Sequence, residues 1–179
     1  TWTGDNYASV EHMKLSVPMS LTLGLSGQPF NGPDIGGFLG DTSGDLWANW
    51  LGFGALMPFA RGHACAGTND KEPWAYGPEI EKTSRIALER RYRLLPYLYT
   101  LFYTSSQTGL PVMAPVFFAD TKDSNLRAED QAFLLGENLL VVPAFAQAPA
   151  LPSGIWEELN LIEGDKQDKY QAKLSIRGG

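Results

Sequence analysis

From Ser9 to Tyr103 the chain alternates between helical stretches and short strands, and this alternation narrows the possible folds more than any other feature. Met13, Val17 and Leu21 recur at four-residue spacing behind Ser9, a residue type that caps helix N-termini. Residues 9–24 therefore read as a helix, kinked at Pro18 and closed by Gly24 and Gly27. Residues 28–38, QPFNGPDIGGF, then read as a short extended segment running into a glycine-rich turn, with Asp34 at the strand's end. A second helix is expected over 43–57, where Trp47, Leu51 and Ala55 share a face, followed by a second short strand in 58–64, PFARGHA. The clearest helix is expected over 79–103, with Ala87, Leu94, Leu98 and Leu101 toward one side, Arg90, Arg91 and Arg93 around it, and a bend at Pro96. Short strands that each end in a glycine-rich or polar loop and feed a helix are the units of a parallel α/β barrel.

The texture changes after Gly109. Residues 111–118 and 134–143 read as β runs, and only a weak helical pattern near residue 157 follows. These features place a domain boundary between 112 and 113, with a barrel portion before it and a β-rich unit after it. No internal repeat or low-complexity tract is visible.

The chain has 179 residues, 44% hydrophobic and 19% charged, enough apolar material for a core and no disordered signature. Its formal net charge of −6 and lack of basic stripes argue against a nucleic-acid partner. No apolar run of roughly 20 residues is present, so no membrane span is expected within the sequence. Cys65 is the sole cysteine, which excludes an internal disulfide, and it reads as a buried thiol. The first residues begin in mid-motif, so the chain is expected to be a piece of a longer protein.

Three polar residues fall at apparent strand ends: Asp5 in WTGDN, Asp34 in GPDIGGF and His63 in FARGH. In a barrel the ends of successive strands converge on one rim, so the three can face a single pocket. Asp and Gly are also ordinary turn formers, and either aspartate alone is as well explained that way. Trp2 and Phe38 beside the acids shift the balance toward a glycan, whose C–H faces stack on aromatic rings while its hydroxyls need charged acceptors. Arg61 lies two residues before His63 and shares its side of an extended strand. Trp47 and Trp50 read as core, Trp74 as a loop residue and His12 as a surface or second-layer residue. Walker, dinucleotide-binding, HExxH, zinc and calcium-loop patterns are absent, so no metal or cofactor is expected. From the residues alone, Asp5 and Asp34 would pair as acid and nucleophile.

WTGDN, EHMKLS, GLSGQPFNGPDIGGF, PFARGH, EPW and RYRLLPYLYTLFY occur in that order, and together they resemble glycoside hydrolase family 31, best known for retaining α-glucosidases. The resemblance covers residues 1 to about 143. It implies that residues 1–112 are the C-terminal part of a (β/α)8 TIM barrel and that 113–179 begin the proximal β-sandwich domain. By the same resemblance Asp5 is the general acid/base, and Trp2, Asp34, Phe38 and His63 line the glucosyl subsite. Arg61 occupies a supporting position, and Gly62 stands where many members have Asn. Asp34 thereby becomes a hydroxyl ligand instead of the nucleophile. The family nucleophile sits in a W-x-D-M-N-E type motif that this sequence lacks, so the remainder of the barrel is an expected partner and the chain alone is expected to be inactive. The implied substrate is an α-glucoside oligosaccharide, with α-1,4-glucan lyase, α-xylosidase, transglycosidase and non-catalytic glycan binding as alternatives. In a retaining reaction Asp5 must hold its proton near neutral pH, which is expected to come from burial against Trp2 and from the nearby nucleophile.

Overall fold

The computed structural model describes residues 1–178. Helix α1 spans Val10–Leu25; Ser9 at its N-cap adopts an extended backbone, and its hydroxyl accepts from the His12 amide at 3.2 Å. The helix runs through Pro18 without a break. Strand β1, Asp34–Ile35, follows, then helix α2, Gly44–Gly54, capped by Ser43 in the same manner. Strand β2, Arg61–Gly62, pairs in parallel with β1, setting Asp34 opposite Arg61 and Ile35 opposite Gly62. Helix α3, Pro78–Thr108, begins with Pro at its first position, runs unbroken through Pro96 and ends on left-handed Gly109. It therefore extends five residues past the expected Tyr103, because the chain meets its first residue suited to a left-handed cap only at Gly109.

Arg91 of α3 secures the loop between α2 and β2. Its Nη1 donates to the carbonyls of Ala55 at 2.7 Å and Met57 at 2.6 Å, and its Nη2 to that of Pro58 at 3.1 Å. These carbonyls have no helical partners, so one guanidinium closes the end of α2 and sets the approach of the chain to Arg61.

The second half is a five-stranded antiparallel sheet in the order β3-β4-β5-β7-β6, built from Met113–Pro115, Phe133–Leu135, Leu139–Val142, Trp156–Glu158 and Lys173–Arg177 as β3 to β7 in chain order. The run LLGENLLVVP is thus the turn and two arms of a hairpin instead of one strand, folded at Gly136, whose φ is +61°. Its unbroken hydrophobicity has a structural cause. Phe133, Leu135, Leu139 and Val141 pack into the core shared with α1, α2 and α3, whereas Leu134 and Leu140 join a second cluster with Ala114, Val116 and Leu126 on the other face. Residues 156–158, where a weak helical pattern was expected, form strand β6, and β7 had no counterpart in the sequence reading. Pairing with β7, itself paired with β5, overrides the local pattern.

Residues 165–172 cross back onto the helices and tie the two halves together. Arg90 of α3, 3% exposed, donates from Nη2 to the Ala172 carbonyl at 2.7 Å and from Nη1 to the Gln171 side chain at 3.2 Å, with Asp165 at 3.5 Å from Nε. Asp168 accepts from the Thr83 hydroxyl and Asp45 of α2 from the Tyr170 hydroxyl. Trp47 and Trp50 lie in the core as expected, and Trp74 is exposed. No helix among the described residues is long and apolar enough to cross a membrane.

Candidate active site

Register makes the first contact of the site. Because β1 and β2 set Asp34 opposite Arg61, Arg61 Nε reaches Asp34 Oδ1 at 2.5 Å. Asp34 is fully buried, and its Oδ2 finds no hydrogen-bond partner among the described residues. A buried carboxylate with one oxygen held by a cation and the other free is a directional acceptor. The Arg61 guanidinium lies 5.6 Å from the ring centroids of both Trp2 and Phe59, so Trp2, Arg61 and Asp34 form one connected group.

After Ile35 the chain turns on Gly36 and Gly37, both with φ +86°. Side chains are excluded here on two grounds: the left-handed backbone, and contact, since a Cβ on Gly36 would lie 2.8 Å from Trp47 and one on Gly37 2.4 Å from the Ala8 amide nitrogen. Gly37 thus lets the Tyr7–Ala8 backbone, directly after WTGDN, lie on the turn. Asn6 fastens the two: Nδ2 donates to the Asp34 carbonyl at 3.0 Å, and Oδ1 accepts from the Phe38 amide at 2.8 Å. The Asn6 carbonyl also accepts from the amides of Phe38 and Leu39, each at 2.9 Å, and Ala8 donates to the Leu39 carbonyl at 2.8 Å. Asp5, one residue away, is thereby tethered to the turn that carries Asp34 and Phe38.

Phe38 stacks on His63, with centroids 5.1 Å apart and planes inclined by 22°. The Cys65 amide donates to the Phe38 carbonyl at 2.9 Å, holding the segment after β2 against the same turn. Lys71 donates to the carbonyls of Gly37 at 2.5 Å and Gly40 at 2.9 Å, and the Thr42 hydroxyl donates to that of Gly36. Burial pulls the Lys71 ammonium below the ordinary lysine pKa, against the opposing pull of Cys65, Asp41 and Asp34.

The residues singled out in the sequence thus gather as Trp2–Arg61–Asp34 and Phe38–His63, with Asp5 on the neighbouring segment. Asp34, buried with Oδ1 on Arg61 and Oδ2 without a partner among the described residues, has the geometry of the hydroxyl acceptor that the resemblance implies. Two expectations change. Asp5 is exposed instead of buried against Trp2, which stacks on Arg61 and is itself 45% exposed. Cys65 is half-buried because its segment lies along the rim of the turn. His12 accepts from the Tyr7 amide at 3.2 Å and packs edge-on against the Tyr7 ring, a structural role at the start of α1. Asn6 and Lys71 were not anticipated. Asn6 carried a signal, as an amide directly beside the acid in WTGDN, whereas a lysine in a polar loop reads as solvated. Among the described residues no three His, Cys, Asp or Glu side chains gather as a metal site.

Comparison with known proteins defines the class. The glycosyl hydrolases family 31 TIM-barrel domain matches residues 1–101, and the family 31 C-terminal domain matches residues 109–179. The chain belongs to glycoside hydrolase family 31, and its fold is part of that family's TIM barrel followed by a β-sheet domain. A crystal structure of a family 31 α-glucosidase from Bacteroides thetaiotaomicron superposes with a TM-score of 0.93 at 66% identity, over 100% of this chain and 30% of that one. Alpha-glucosidase 2 of Bacillus thermoamyloliquefaciens is 39% identical over 97% of this chain and 23% of its own length. A probable glucan 1,3-alpha-glucosidase of Arabidopsis thaliana is 46% identical over 78% of this chain and 15% of its own length. The chain therefore spans under a third of each of these relatives.

Proposed function

We propose that this chain is part of a retaining α-glucosidase that releases terminal α-linked glucose from oligosaccharides by double displacement. The observation that carries the reading is the Asn6 bridge, which links the segment bearing Asp5 to the turn bearing Asp34 and Phe38. Asp5 is the general acid/base. Asp34, held by Arg61, accepts a sugar hydroxyl through Oδ2, while Trp2, Phe38 and His63 complete the glucosyl subsite. The names of the relatives support glucose as the sugar released.

A retaining enzyme needs a second carboxylate about 5–5.5 Å from the first. In this reading it comes from the remainder of the barrel, outside the chain. That carboxylate attacks the anomeric carbon as Asp5 protonates the departing oxygen; Asp5 then takes a proton from water, whose oxygen displaces the enzyme. Exposure of Asp5 suits this arrangement, since the enclosing walls come from the same missing elements. Trp2, Leu15 and Met19 form an exposed apolar surface with Pro18 and Leu23, which supports packing of earlier barrel elements there. We place the division between barrel and β-sandwich portions at 112/113, where β3 opens the antiparallel sheet.

The reading is tested on the full-length enzyme with a maltooligosaccharide, following the first product by NMR. Initial release of α-glucose is expected. Anhydrofructose would assign a lyase, and absence of both turnover and product would leave a glycan-binding role. The isolated chain 1–179 is expected to show no turnover, and measurable activity would refute the external nucleophile.

A further inference from the structure

The turn that carries Phe38 has little ladder pairing of its own and contains three glycines at positive φ, Gly36, Gly37 and Gly40. Such a segment has wide conformational freedom unless other groups fix it. Lys71, only 6% exposed, spans it: one ammonium donates to the carbonyls on either side of Phe38, those of Gly37 and Gly40. Among the described residues no carboxylate lies within ion-pair distance of this ammonium. Burying an ammonium with only neutral acceptors is unfavourable compared with a neutral donor, so its place here calls for a role beyond filling space. The main chain of Lys71 is also fitted to the site. A Cβ on Gly62, between Arg61 and His63, would lie 3.2 Å from the Lys71 carbonyl oxygen, and a Cβ on Gly36 3.7 Å from Lys71 Cδ.

We propose that Lys71 is a positioning residue of the glucosyl subsite, acting through Phe38. Its main chain rests on β2 at Gly62 and its side chain grips the turn after β1, so it sets the Phe38 ring against His63 and fixes the platform on which the sugar lies. This rests on the reading of Phe38 as a subsite residue.

The test is a double-mutant cycle in the full-length enzyme, with kcat and KM measured on an aryl α-glucoside. Lys71→Met should raise KM by about tenfold, the scale expected for hydrogen bonds to a charged donor, with a smaller change in kcat. Lys71→Arg, which keeps a cationic donor, should recover most of that loss. In a Phe38→Ala background Lys71→Met should cost less than about threefold, because the group it positions is gone. Equal losses in both backgrounds, or unchanged kinetics in Lys71→Met, would overturn the proposal while leaving the glucosidase reading intact. Should Lys71→Met fail to fold, Lys71→Gln enters the same cycle with the same criteria. An inactive wild-type enzyme would overturn both readings.

Discussion

Replacing Gly37 by alanine probes the joint between the segment proposed to carry the acid/base and the turn proposed to carry the subsite. The added Cβ would stand 2.4 Å from the Ala8 nitrogen and 2.5 Å from its Cα, where ordinary contact begins near 3.4 Å, so the Tyr7–Ala8 backbone, and with it the adjoining Asp5–Asn6 stretch, must retreat by roughly 1 Å. The left-handed backbone at φ +86° adds about 1–2 kcal/mol of strain, and overpacking about 1–3 kcal/mol more. Gly27 separates these effects, since its φ is +83° but a Cβ there meets nothing within 4 Å. Both variants should lower the melting temperature of the full-length enzyme, Gly37→Ala more than Gly27→Ala. A displacement of about 1 Å in a catalytic constellation costs on the order of 100-fold, so kcat/KM should fall by about that factor in Gly37→Ala and by less than about threefold in Gly27→Ala. Activity in Gly37→Ala within threefold of wild type would refute the coupling of Asp5 to the turn through this contact.

Two further outcomes concern stability. Arg90→Met leaves Asp165, Gln171 and the Ala172 carbonyl without their buried cation and should destabilise by about 3–5 kcal/mol in denaturation. Arg85→Met, which removes an exposed i,i+4 pair with Glu81, should change stability by less than about 0.5 kcal/mol, and equal effects would contradict the role given to the 165–172 crossing. Burial pushes the Tyr76 phenol up to about 12 from an ordinary 10.0, so the folded state keeps a proton that the unfolded chain releases. The stability this group contributes is therefore present below about pH 10 and lost as the pH rises toward about 12. Denaturant titrations across that window should show a shallower alkaline loss in Tyr76→Phe than in wild type, and identical slopes would exclude Tyr76 as a source.

Local rules made the barrel portion legible. Ser9 and Ser43 cap their helices through side-chain oxygens, and the shared face of Trp47, Leu51 and Ala55 is buried, because capping and helical period act over a few residues. The β portion was less legible, since pairing of β6 with β7 is decided across the sheet and both faces of the β4–β5 hairpin are covered, which removes the alternation that marks a strand. In the candidate site, Trp2, Asp34, Phe38, Arg61 and His63 could be picked out from their motifs, but their connections, and the parts played by Asn6 and Lys71, could not. The Arg61–Asp34 pair depends on the register of two strands 27 residues apart, and Lys71 becomes visible only when the glycine turn folds beneath it.

Leaving-group dependence in Asp5→Ala tests most directly the proposed role of Asp5 as proton donor in a retaining α-glucosidase. General acid catalysis contributes about 10²–10⁴-fold, and only where the departing oxygen needs protonation. Hydrolysis of maltose by Asp5→Ala should therefore fall by about that factor, while an α-glucosyl fluoride, whose leaving group needs no proton, should lose far less. Equal losses on the two substrates would contradict the assignment.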